Sequence, residues 1–116
     1  MRKPRNEGRF KPPSRRTPTH DEWCFACTYP DPGVAEHTSH FWADHGSPVD
    51  PDARWQICVT QRYVDGAPER AIVYVDGVSG GFDHAGTQIL AAALREAQAL
   101  ADALNVGIPL RERAVS

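Results

Sequence analysis

The sequence predicts an α+β domain of ββα order: an N-terminal segment rich in cysteine and histidine, an antiparallel β-hairpin, and one long C-terminal helix. Three observations predict it. Residues 20 to 45 hold four of the five histidines and two of the three cysteines. From Arg54 onward apolar and polar residues alternate with a period of two, and a second β-rich run follows. Between residues 84 and 104, Leu, Ile and Ala recur at steps of three and four.

The chain has 116 residues, enough for one domain. Hydrophobic residues make up 41% and charged residues 24%, and no apolar run approaches the ~20 residues of a membrane helix, which excludes a membrane-spanning protein of that kind. The formal charge of -2 hides an asymmetry. Residues 1 to 19 carry seven basic side chains (Arg2, Lys3, Arg5, Arg9, Lys11, Arg15, Arg16) against Glu7 alone, so the rest of the chain is acidic.

Residues 1 to 19 also hold Pro4, Pro12, Pro13 and Pro18 and, beyond Met1, one large apolar residue, Phe10. Such a segment buries too little surface to offset its ordering entropy, so a disordered basic arm is expected. No apolar stretch follows the basic residues as a secretory signal would require, and the expected compartment is the cytoplasm. The seven basic residues are candidate contacts to a nucleic-acid backbone, the alternative being a solubilising end. Residues 20 to 105 are expected to form a single folded domain, with 20 to 50 as the Cys/His segment, 53 to 78 as the hairpin and 84 to 105 as the helix. Residues 106 to 116 then form a tail. A domain this small gains from a metal, a bridge or a partner subunit.

Cys24 and Cys27, twelve intervening residues, His40, four residues and His45 fit C-x2-C-x12-H-x4-H, a spacing that can close tetrahedrally around zinc. Two thiolates and two neutral imidazoles leave a neutral zinc complex, which needs no counter-ion. Zinc is therefore the expected cofactor and Cys24, Cys27, His40 and His45 the expected ligands, with His37 and His20 as alternates. The formula resembles a two-Cys two-His zinc finger. That family carries an aromatic residue four places after the second cysteine and a leucine three before the first histidine, where this chain has Asp31 and His37. Tyr29-Pro30-Asp31-Pro32-Gly33 is also expected to break the second strand of a finger, because proline removes a ladder donor. The zinc is kept and the finger fold rejected, which leaves a zinc-stapled N-terminal loop. Trp23-Cys24-Phe25-Ala26-Cys27 is similar to the W-C-x-x-C of thioredoxin-like oxidoreductases, but that motif needs a strand before it and a helix after it. A plain disulfide is disfavoured in a reducing compartment. Trp23, Phe25, Tyr29, Phe41 and Trp42 are read as packing around the metal loop rather than as base-stacking residues.

Trp55, Ile57 and Val59 alternate with Gln56, Cys58 and Thr60, which marks a half-buried strand reaching Tyr63. Asp65-Gly66 signals a hairpin, although six residues, 64 to 69, link this run to the next at Ala71 to Val78 and suggest a longer loop. Asp76-Gly77 and Ser79-Gly80-Gly81 are expected to stop the second strand. The helix has Asp83 or Thr87 to cap its start and Asn105 with Gly107 to close its end. Its apolar stripe is wide enough to cover the hairpin and to meet a second copy, and a two-stranded sheet leaves unpaired edges, so a homodimer is compatible with the sequence.

The order of a Cys/His segment with a His45-Gly46 step, a hairpin, a Gly-containing turn and an Ala/Leu-rich helix from Ile89 to Leu104 resembles an uncharacterised family of small actinobacterial and phage-associated proteins. The likeness spans about residues 23 to 105 and implies the hairpin-helix fold with the Cys/His cluster as a unit. It implies no activity.

No catalytic residues are assigned. Glu22, Glu36 or Asp44 are the carboxylates that a catalytic zinc would use as general base, but His37-Thr38-Ser39-His40 is not H-E-x-x-H, and the deaminase pair of motifs is missing. Gly77 to Gly81 lacks the lysine of a phosphate loop. The sequence therefore points to a small zinc-binding interaction module, regulatory in role, that engages a protein or nucleoprotein partner. The alternatives are a thiol-disulfide oxidoreductase or zinc hydrolase at Cys24 and Cys27, and a structural or dimerising protein with no nucleic-acid role.

Overall fold

A computed structural model describes residues 17–109. The seven basic residues of the expected arm lie outside the described residues, as do residues 110–116 of the expected tail. The elements in chain order are α1 (His20–Trp23), β1 (Ala26–Asp31), β2 (Val34–Thr38), β3 (Trp42–Asp44), β4 (Arg54–Val64), β5 (Ala67–Pro68), β6 (Ile72–Ser79) and α2 (His84–Leu104). No helix among the described residues is long and apolar enough to cross a membrane.

The α+β class holds, but the expected two-stranded hairpin is only the middle of a larger antiparallel sheet. β4 is its axis. On one side β2 pairs with residues 60 to 64 of β4 and β3 with residues 55 to 57, while β1 extends the sheet beyond β2. On the other side β6 pairs with Arg54 to Thr60 and β5 with Tyr63 and Val64. Between β2 and β3, Ser39 keeps the ladder continuous: its N–H donates to the Val59 carbonyl, and its hydroxyl accepts from the Val59 N–H at 3.0 Å.

Two local readings are corrected by turn chemistry. Asp65 and Gly66 have φ of 51° and 83° and join Val64 to Ala67 as a two-residue turn, so the tight Asp-Gly hairpin is made and the remaining linker residues form β5. Asp76-Gly77 does not stop β6. The strand runs through it to Ser79 with a register shift opposite Arg54 and Gln56. Gly80 does redirect the chain: its φ is 82°, and a Cβ there would stand 2.6 Å from the Ala53 Cα.

The period-2 pattern of β4 sends Trp55, Ile57, Val59 and Gln61 to one face, where Trp55, Ile57 and Val59 share a core with Ala93, Ala97, Leu100, Ala101 and Leu104 of α2. Trp23 and Trp42 complete this core from α1 and β3. The stripe on α2 is narrower than its sequence suggests, because Ile89 and Leu94 stay 57% and 37% exposed.

Both helix ends are fixed as expected. The Asp83 carboxylate accepts from the Gly86 N–H at 2.9 Å, and Asn105 binds back to the carbonyl of Ala101 while its side chain accepts from the Ala71 N–H at 2.7 Å. Asp83→Ala is expected to cost about 1 kcal/mol of unfolding free energy in urea titration, the usual loss for an N-cap. An unchanged midpoint would show that the cap is not used.

Candidate metal centre

The Cys/His segment is not an irregular loop. β1 and β2 form a hairpin closed by Pro32-Gly33, and β1 is an edge strand, where the missing N–H of Pro30 is tolerated. The expectation that the Tyr29 to Gly33 stretch excludes a strand is thereby corrected. The pairing register sets Cys27 directly opposite His37.

Cys24 lies just before the hairpin and is drawn to it at both sides. Its N–H donates to the His20 carbonyl as the cap of α1, and the next N–H, of Phe25, donates to the Thr38 carbonyl of β2. Thr19 caps the start of α1, and its N–H donates to Glu22 Oε1 at 2.8 Å. That single turn swings His20 over the hairpin, with its ring centroid 4.4 Å from that of His37.

The result is a group of four donors, His20, Cys24, Cys27 and His37, whose ligand atoms all lie within 4.8 Å of one another. The two sulfurs are 3.6 Å apart. Cys27 Sγ is 3.2 Å from His20 Nε2 and 3.3 Å from His37 Nδ1, and Cys24 Sγ is 3.7 Å from the same His37 nitrogen. The cluster can hold a metal ion. Tyr63 packs edge-on against the His37 ring at 5.3 Å and so limits its rotation.

The protonation states are informative. Burial and then the neighbouring His20 hold the His37 pKa below its usual value, which favours the neutral imidazole that ligates. Burial, followed by the adjacent Cys27, pushes the Cys24 thiol up to about 11. Without a cation this thiol keeps its proton at neutral pH, and a bound metal supplies the positive charge that releases it.

Of the ligands expected from spacing, Cys24 and Cys27 are in the group, together with the alternates His37 and His20. His40 and His45 are not. His40 follows Ser39 in the link between β2 and β3 and lies buried with its ring centroid 4.3 Å from that of Trp42. His45 is exposed after β3. Cys58 is buried in β4, outside the group. Among the carboxylates considered as general bases, Glu36 pairs with Arg62 at 3.5 Å and Glu22 receives the Thr19 N–H. Cys24 stands at the C-terminal end of α1, so the helix N-terminus that activates a redox cysteine does not face it.

Beside the cluster runs an open groove of about 760 Å³, bordered by His20, His37, Tyr63, Tyr29, Pro30 and Asp31. No family model, curated protein or solved structure matches the chain.

Proposed function

We propose that this protein is a small interaction module in which one zinc ion, held by His20, Cys24, Cys27 and His37, staples α1 and the β1–β2 hairpin to each other. The carrying observation is the convergence of these four donor atoms within 4.8 Å. Zinc suits the donor set: a tetrahedral ion with Zn–S of about 2.3 Å and Zn–N of about 2.0–2.1 Å separates two sulfurs by about 3.8 Å, and sulfur from nitrogen by about 3.6 Å. The spacings of 3.6 Å between sulfurs and 3.2 to 3.7 Å from sulfur to nitrogen need only small adjustment to meet this. Four protein ligands fill the tetrahedron and leave no position for water, so the role is structural.

The partner surface is the hairpin that the zinc holds. Tyr29, 71% exposed, borders the groove of the metal site, Phe25, 70% exposed, immediately precedes β1, and large exposed aromatic side chains are typical anchors of protein interfaces.

Metal analysis of protein purified without added zinc tests the assignment. One zinc per chain is expected, lost in Cys27→Ser and His37→Ala and kept in His40→Ala. Native protein that carries no metal, or zinc that survives both ligand substitutions, would overturn it.

A further inference from the structure

A separate site lies between β3 and α2. The two elements enclose a groove of about 380 Å³ lined by Phe41, Trp42, Trp55, Ile89, Ala93 and Glu96. Phe41, 56% exposed, stands free at the rim, while the two indoles form the inner wall. The unpaired Trp55 Nε1 is shut off from solvent, so that indole contributes hydrocarbon surface to the groove rather than a donor.

Glu96 supplies the charge. Trp42 Nε1 donates to its Oε1 at 2.9 Å, which fixes the carboxylate against the aromatic wall. Among the described residues no cation forms an ion pair with Glu96. A titratable neighbour of Glu96 is His40, whose ring is tilted against Trp42 with centroids 4.3 Å apart; burial outweighs the pull of Glu96 and holds the His40 pKa down, so it stays neutral at neutral pH and leaves the negative charge uncompensated. A carboxylate without a counter-charge, next to rings whose faces carry negative potential, makes an apolar groove that favours a cation.

We propose that this groove binds the quaternary ammonium group of a small molecule. The donor count selects this class over other organic cations. A guanidinium brings five N–H donors and a primary ammonium three, and each donor needs an acceptor. Among the lining side chains only Glu96 is an acceptor. A quaternary ammonium has no donors and requires only charge and apolar contact, which the groove provides. Its volume falls within the roughly 300–1,000 Å³ of small-molecule sites, near the lower end, and suits an ammonium head with a short chain.

The test is titration of the full chain with tetramethylammonium chloride at constant ionic strength, followed by the indole N–H NMR signals of Trp42 and Trp55. Saturable shifts are expected, with affinity about tenfold weaker in Glu96→Gln and lost in Phe41→Ala. Glutamine still accepts the Trp42 N–H, and Phe41 is exposed, so both variants retain the fold. Butylammonium and tert-butanol, a primary amine and a neutral analogue, are expected to give no saturable shift. Absence of saturation with tetramethylammonium, equal affinity in Glu96→Gln, or equally tight binding of either comparison compound would overturn the proposal.

Discussion

Chelating the zinc proposed for the His20, Cys24, Cys27 and His37 cluster is expected to lower the melting temperature by roughly 10–20 °C, since a ligand at a hundredfold its Kd adds about 2.7 kcal/mol to a domain of this size. The effect is large because little else holds the N-terminal elements. α1 is a single turn of four residues, far below the length at which a helix persists alone. β1 is exposed at all six positions and, among the described residues, pairs with one neighbour, β2. Yet α1 contributes Trp23, 3% exposed, to the core shared by the sheet and α2. When the metal leaves, the loosening of α1 and β1 is therefore felt as lost packing around Trp23. Hydrogen exchange should locate the change: amide protection falls across residues 20 to 38 and is kept in β4, β6 and α2. A melting temperature indifferent to the chelator, or uniform loss of protection, would contradict a local staple.

The same elements show what the sequence could reveal. α2 was legible because its pattern is local: the 3.6-residue period, Asp83 before it and Asn105 after it define it without reference to the rest of the chain. β4 was legible for the same reason, since its alternating residues separate two faces. The histidines were not. Spacing alone selects His40 and His45, whereas the structure selects through the hairpin register. Counting outward from the Asp31↔Val34 pair would set Cys27 opposite Thr38, but the irregularity between Thr28 and Asp31 moves the pairing by one residue, to His37. A one-residue shift decides which side chain faces the site, and nothing in the local composition announces it. His20 was hidden differently. It lies at the boundary of a Pro- and Arg-rich stretch that reads as disordered, yet Thr19 and Glu22 start a turn there, and Pro18 is buried.

Trp55→Ala is expected to be the most damaging single substitution in the core, costing about 3–5 kcal/mol of the roughly 5–15 kcal/mol that stabilises a small domain. Trp55 is 2% exposed, sits on the central strand and lies under α2, so the cavity left behind cannot collapse without moving both layers. Substitution by phenylalanine separates packing from hydrogen bonding. Trp55 Nε1 is buried with no partner, whereas Trp42 Nε1 donates to Glu96. Removing the Trp55 N–H relieves an unpaired donor that costs about 1–3 kcal/mol to bury, and this offsets much of the volume lost in Trp55→Phe. Trp42→Phe loses comparable volume together with a hydrogen bond to a charged acceptor, which contributes about 1.5–3 kcal/mol. Burial alone ranks Trp55→Phe as the worse change, because Trp42 is the more exposed of the two. Hydrogen-bond accounting reverses the order. Urea unfolding of the two variants decides between them, and a larger loss in Trp55→Phe than in Trp42→Phe would show that packing outweighs polar pairing in this core.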